Sequence, residues 1–236
     1  MLNNTKLPLI LLGTNTNIHW LVDVAVRAGY NIAGIIDDDY HGQKYFQDIP
    51  VIAQQQDLIH NPDQYRQFQF FCATNWQPDD VLIPAQSRNR QKRFDLINLM
   101  ESQQLNVATI VSPSAEVSAY QVSIGRGTFI DSFCVVSPMD KIGNYTNIYS
   151  HANIGENSVV GDHCVLQRHV QLAGSVTLGD RVYMGFYSLA NRHYMHIADD
   201  TFVHPSMTVM RDTAPGETIS LAGRNLRKIY NRVIEQ

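Results

Sequence analysis

Residues 142–185 read IGNYTNIYSHANIGENSVVGDHCVLQRHVQLAGSVTLGDRVYMG. Aliphatic side chains fall at Ile142, Ile148, Ile154, Val160, Leu166, Leu172, Leu178 and Met184, and the same step of six reaches back through Val136 and Ile130 to Ile124. Four places after the aliphatic a small or modest residue is usual, as at Thr146, Ala152, Ser158 and Cys164. Glycine often follows the aliphatic directly, as at Gly143, Gly155, Gly161 and Gly179. Neither strand alternation nor helical spacing accounts for this period. It is the pattern of a parallel β-helix, in which each hexapeptide supplies one short strand and one corner and the aliphatic side chain fills the interior of a three-sided prism.

Three hexapeptides close one coil, so positions eighteen apart stack on one another. His151, His163 and His169 each stand three places after an interior aliphatic, near a corner and facing outward. His151 and His169 differ by eighteen and are expected to stack about 4.8 Å apart, with His163 on another face. Val111 and Val117 keep the step, and a seven-residue interval to Ile124 marks an insertion at a corner. The phase slips by one between Ala190 and Ile197, then resumes at Val203 and Val209, which predicts a bulge or loop over 191–196 that carries Arg192, His193, Tyr194 and His196. Residues 211–216 read as a turn and 226–234 as a short capping helix or tail.

The first hundred residues follow a different rule. Leu7 to Leu12 is an apolar run stopped by Gly13, and Ile18, Leu21, Val22, Ala25 and Val26 then recur with helical spacing. Further apolar runs end at Asp37-Asp38-Asp39 and at Thr74-Asn75-Trp76, and helical spacing returns around Phe94, Ile97 and Met100. Alternation of this kind predicts an α/β Rossmann-like domain over 1–104, with ligand groups gathered at the carboxyl ends of its strands, followed by an all-β left-handed parallel β-helix over 105–236. The loop Gly13-Thr14-Asn15-Thr16-Asn17 keeps only the first glycine of a dinucleotide fingerprint, so a redox dinucleotide is not expected there. Asn15 and Asn17 either cap the helix or bond a ligand, and Asp37 and Asp38 either solvate a turn or accept from a ribose or base. Arg88, Arg90, Lys92 and Arg93 read as a solvated helix face.

Composition bounds the function. Hydrophobic residues make up 44% and charged residues 17% of 236, which excludes a disordered chain. No apolar run is long enough to span a bilayer and Met1 to Lys6 is too polar to open a signal peptide, so a cytoplasmic protein is expected. A net charge of -4 argues against nucleic acid as the main partner. Cys72, Cys134 and Cys164 are too few and too far apart for a disulfide framework or a metal knuckle, and no other group has the spacing of a metal site.

The strand-loop-helix with Gly13, the Ile36-Asp37-Asp38 strand end, the lead-in Ile110-Val111-Ser112-Pro113-Ser114-Ala115 and the hexapeptides that follow resemble, in that order and over nearly the whole chain, the sugar acetyltransferases of the sialic-acid O-acetyltransferase and bacillosamine N-acetyltransferase type. The resemblance implies a homotrimer of left-handed β-helices that binds acetyl-CoA between subunits. It also implies a nucleotide-amino sugar held by the amino-terminal domain through Gly13, Asn15, Asp37, Asp38 and Asn75. Residues 219–226 resemble that family's terminal coil, with Gly223 kept and Asn225-Leu226 in place of Pro-Ala; Arg224, Arg227 and Lys228 would hold CoA phosphates. Backbone amides near Gly174 and Ser175 would polarise the thioester carbonyl.

The histidine and acidic residue usual in that family just before Val159-Val160-Gly161-Asp162 are replaced by Glu156 and Asn157. A sugar hydroxyl needs a general base more than an amine does, so the substitution favours N-acetylation, with a UDP-linked amino sugar of surface glycan synthesis as the expected acceptor. Glu156, His163 and His151 are the candidate proton acceptors. The rival readings are a sugar O-acetyltransferase and an inert sugar-nucleotide-binding scaffold.

Overall fold

The computed structural model describes residues 6–15, 18–40, 42–74 and 88–220. The chain divides into two compact units, the first ending at Ile110 and the second beginning at Val111.

In the first unit the strands β1 (Leu9–Leu12), β2 (Ile32–Ile36), β3 (Tyr45–Phe46), β4 (Ile49–Ala53) and β5 (Gln69–Cys72) form one sheet in the order β3-β4-β2-β1-β5. All neighbours are parallel except the β3–β4 hairpin. Leu9, Ile10, Leu11 and Leu12 are all fully buried, as expected for a central parallel strand covered on both faces. Helices α1 (Ile18–Arg27), α2 (Gln55–His60) and α3 (Arg88–Ser102) complete the unit. α1 buries Ile18, Leu21, Val24 and Ala25, the face its spacing predicts. The unit runs past Leu105 because Val107 bridges Phe70, with the Ala108 N–H donating to the Phe70 carbonyl.

The hairpin was not foreseen. Its two-residue turn, Gln47-Asp48, has φ of +46° and +66°, the geometry usually signalled by Asn-Gly. Here neither usual residue announces it.

The second unit is a parallel β-helix of two-residue strands on three faces. Val136 pairs with Ile154, Ile142 with Val160 and Ile148 with Leu166, each an eighteen-residue step. Beyond the predicted slip the step becomes nineteen: Leu178 pairs with Ile197 and Met184 with Val203. The interior is one cluster that includes Ile142, Ile148, Ile154, Val160, Leu166 and Leu178, all buried.

The corners carry a feature the spacing does not reveal. From Gly127 to Tyr187 every sixth residue has φ between +54° and +67°, the left-handed region, although most are not glycine. Such backbone costs about 1–3 kcal/mol per residue unless the surroundings hold it. A hydrogen bond to the coil before holds it here: the N–H of His163 donates to the Asn144 carbonyl, that of Asn157 to Pro138 and that of Ser175 to Glu156.

Candidate active site

The three edges of the prism are built alike and end in different chemistry. On the first, Phe133, His151, His169 and Tyr187 form a ladder of stacked rings. The His151 and His169 centroids lie 4.8 Å apart with planes 2° from parallel, the spacing the sequence predicts. Phe133 caps one end at 5.1 Å and Tyr187 the other at 4.6 Å.

On the second edge Tyr145 stacks on His163 at 5.5 Å and 6°. Next in the column comes Arg181, which binds Asp200 through Nε at 3.0 Å and Nη2 at 2.9 Å. Burial pulls on the guanidinium less than the Asp200 hydrogen bond does, and its pKa stands above the ordinary value. A second ladder closes this edge. Asp162 Oδ1 accepts the Asn144 N–H at 2.7 Å, Asp180 Oδ1 accepts that of Asp162 at 2.8 Å, and Asp199 Oδ1 accepts that of Asp180 at 2.9 Å. Glycine is needed beside it, since a Cβ on Gly143 would fall 2.4 Å from Asp162 Oδ1.

The third edge carries Met139, Asn157, Ser175 and Tyr194 at its left-handed positions. One place earlier in each coil stand Pro138, Glu156, Gly174 and His193. The Glu156 carboxylate lies over Gly174: a Cβ there would sit 2.5 Å from Oε1 and 2.7 Å from the carboxyl carbon. Ser175 donates its N–H to the Glu156 carbonyl at 2.8 Å, and Asn157 Nδ2 donates to Ser175 Oγ at 3.2 Å. Among the described residues the Gly174 N–H has no acceptor and the Glu156 carboxylate no donor. An open N–H beside an unengaged carboxylate is an arrangement that can polarise a carbonyl and take up a proton. Of the backbone amides in this region, that of Gly174 is open and that of Ser175 is spent on the Glu156 carbonyl.

Under this edge lies Asp140, fully buried. Its carboxylate accepts from Ser137 N at 2.8 Å and Ser158 N at 2.9 Å. Burial lifts its pKa to about 6 against those two bonds, and the nearby negative charge of Glu156 adds to the rise.

The three proton acceptors read from the sequence therefore occupy three separate edges: His151 the first, His163 the second, Glu156 the third. One chain does not bring them together. The signal was present, because 151, 156 and 163 differ by five, seven and twelve, and only multiples of about eighteen share an edge.

In the first unit, Gly13 has φ +77°, and a Cβ there would run into the Thr74 hydroxyl and come within 2.6 Å of Leu96 Cδ1, so the turn after β1 requires glycine. Asn15 Nδ2 donates to the Ala73 carbonyl. Asp37 is fully buried, and its oxygens take the Thr14 hydroxyl at 2.8 Å, Lys92 Nζ at 2.9 and 3.1 Å and the Asp39 N–H at 3.1 Å. Lys92 also meets Asp39 Oδ2 at 2.5 Å. Burial pulls the ammonium down, but the bonds to Asp37 and Asp39 outweigh it and its pKa is raised. Asp38 Oδ1 accepts the Gln55 N–H at 2.8 Å and stays exposed. Lys92 and Arg93 are not the solvated face expected of them: Lys92 neutralises Asp37, and Arg93, 1% exposed, donates Nη1 to the Thr74 carbonyl at 2.7 Å. Sequence spacing could not show this, because Asp37 and Lys92 are 55 residues apart.

Asn75, Gly223, Arg224, Arg227 and Lys228 lie outside the described residues. Among the described residues no group of three or more His, Cys, Asp or Glu is placed to hold a metal ion, and no helix is long and apolar enough to cross a membrane.

No family model and no curated protein matches the chain. Solved structures do. A histidine-to-alanine variant of GDP-perosamine N-acetyl transferase from Caulobacter crescentus, in complex with CoA and GDP-perosamine, superposes with a TM-score of 0.76 at 21% identity, over 91% of this chain and 94% of that one. The acetyltransferase domain of PglB from Neisseria gonorrhoeae gives 0.73 at 18% identity, over 91% and 96%. WeeI from Acinetobacter baumannii gives 0.71 at 17%, over 90% and 96%. Likeness at this identity establishes a shared fold.

Proposed function

We propose that the protein is an acetyl-CoA-dependent N-acetyltransferase acting on a nucleotide-linked amino sugar. The observation that carries this reading is the third edge of the prism, where the Gly174 N–H is open and the Glu156 carboxylate stands over it. The fold neighbours crystallised with CoA and GDP-perosamine support the choice of donor and acceptor class. The amine nitrogen, as free base, attacks the thioester carbonyl carbon. The Gly174 N–H steadies the oxygen as it gains charge. Glu156 takes the proton the nitrogen sheds, the C–S bond breaks as the C–N bond is completed, and CoA leaves as the thiol. A carboxylate at the reacting nitrogen suits an amine, already nucleophilic without deprotonation.

The remaining parts of the reading extend it. The coil is left-handed, three copies associate along their prisms, and the nucleotide is held by the amino-terminal unit through the exposed Asp38 and the half-buried Asn15. Asp37, committed to Lys92, orders that end of the sheet. Uridine and guanosine carriers are the two to test, and synthesis of a surface glycan is the process such a product serves.

Incubating the protein with acetyl-CoA and a panel of UDP- and GDP-linked amino sugars, and following free thiol, tests the proposal. Thiol release with an amine acceptor and none with the matching hydroxyl-only sugar is expected, and Glu156→Gln lowers the rate about 10²-fold. Release with no amine in the panel would overturn the reading.

A further inference from the structure

We infer that residues 221–236, which lie outside the described residues, pack as an amphipathic helix along one outer face of the β-helix, the face whose rungs run from Phe129–Ile130 to Thr218–Ile219.

In each two-residue strand the second side chain points into the prism and the first points out. On two faces the outward positions meet solvent: Ser123, Lys141, Val159 and His196 are exposed on one, Glu116, Asn153 and Thr208 on another. The remaining face departs from this rule. Its outward column Phe129, Asn147, Val165, Tyr183 and Phe202 is only 1–3% exposed, and none of the five belongs to the interior cluster. Tyr183 stacks on Phe202 at 4.7 Å, which shields ring from ring but not the outer edges of the column. A column that faces outward and is nonetheless buried has a cover.

The chain itself points to that cover. Thr218–Ile219 is the last rung of this same face, paired with Phe202–Val203, so residues 221–236 set out from it. They read LAGRNLRKIYNRVIEQ. Leu226, Ile229, Tyr230, Val233 and Ile234 fall at i, i+3, i+4, i+7 and i+8, an apolar stripe along one side of a helix, while Arg227, Lys228, Asn231 and Glu235 take the other. Gly223 permits the reversal that a return along the prism requires, and Asn225 suits the cap of the helix that follows. A helix over 225–236 is about 18 Å long. The column from Phe202 to Phe129 takes four coil steps, about 19 Å at about 4.8 Å each. The lengths match, and neither the column nor the stripe carries a charge into the contact. The face lies between the first and second edges, opposite the third, so the packed helix leaves Glu156 and Gly174 clear.

Hydroxyl-radical footprinting and brief trypsin digestion of the whole chain test this without any substrate. In the wild type, Tyr183 is expected to oxidise at least tenfold more slowly than Tyr187, and Phe202 than Phe133, the references being exposed on the first edge. Ile229→Asp combined with Val233→Asp breaks the stripe. Oxidation of Tyr183 and Phe202 is then expected to rise at least fivefold and cleavage after Arg227 and Lys228 at least tenfold, with Tyr187 and Phe133 unchanged because the coils stay folded. Asn231→Asp, on the polar side, is expected to alter neither. Tyr183 and Phe202 still protected in the double variant, or a wild-type tail cut as fast as the variant's, would overturn the inference. Protection that is lost on dilution would also overturn it and make a second copy the cover. Should the double variant fail to fold, Ile229→Ala gives the same reading at smaller scale: cleavage is expected to rise about threefold, and no rise would overturn the placement.

Discussion

The second and third edges of the prism have the same backbone and opposite chemistry. On the second, Asn144, Asp162, Asp180 and Asp199 each follow the interior aliphatic by two places, and each side chain caps the N–H of the coil before. On the third, the same places hold Pro138, Glu156 and Gly174, and no side chain caps the Glu156 or Gly174 N–H. Proline has no N–H to cap, and glycine has no side chain to cap its neighbour with. An edge built of short acceptors is closed and structural, whereas one built of proline, glutamate and glycine leaves donors turned outward. The difference lies in side-chain length at one hexapeptide position.

The largest expected effect comes from turning the open edge into the closed one. Gly174→Asp supplies a short acceptor, displaces the Glu156 carboxylate and crowds the open N–H. Thiol release is expected to fall about 10²- to 10³-fold, the usual loss of a carbonyl-polarising donor, while the melting temperature stays within a few degrees. A variant that keeps full turnover would show that the donor lies elsewhere. The reverse change opens the closed edge. Asp162→Ala strips the caps from Asn144 and is expected to cost about 1–3 kcal/mol in urea unfolding, with turnover unaltered. Loss of activity there would move the site to the edge of His163.

The buried acid gives the third edge a pH signature. The folded pKa of Asp140, about 6, lies above its ordinary 3.8, so the native state holds this proton more tightly than the unfolded chain. Its contribution favours the fold below the ordinary value and is lost as pH rises from about 4 to about 6, then stays flat. Melting temperatures of Asp140→Asn and wild type across that window should converge or diverge accordingly, with the wild type losing more on the way up. The smallest effect is expected on the first edge. His169→Asn removes one rung of the ring ladder while keeping a residue tolerant of positive φ, at a cost of about 1 kcal/mol and no change in rate.

The fold was legible because its determinant is local and repeated. Ile142, Ile148 and Ile154 announce the coil by their spacing, the eighteen-residue interval puts His151 over His169, and the slip after Ala190 shows as a nineteen-residue pairing. Parts of the candidate site were legible in kind only. Glu156 and Gly174 stand out by position, but that the Gly174 N–H is open depends on the caps that its equivalents receive, a comparison between edges rather than within a motif. Asp140 was missed although it stands four places after Val136, where the other coils carry a small buried residue; what the spacing does not show is that its two oxygens take N–H groups from two successive coils. The Lys92–Asp37 pair joins a strand end to a helix across the sheet, beyond the reach of any local period.

The nineteen-residue coil around 191–196 shows what a single extra residue does in such a stack: it must be absorbed on the spot, here as the exposed segment Asn191 to Tyr194, before pairing resumes at Ile197. A whole coil meets no such obstacle, since each repeats the bonds of the last. Duplication of fifty-four nucleotides within the repeat, three for each of the eighteen residues that separate Val136 from Ile154, would lengthen the prism by one storey and leave every edge in register. Growth of this molecule is therefore quantised, and its length can drift between lineages in steps that preserve the chemistry of each edge.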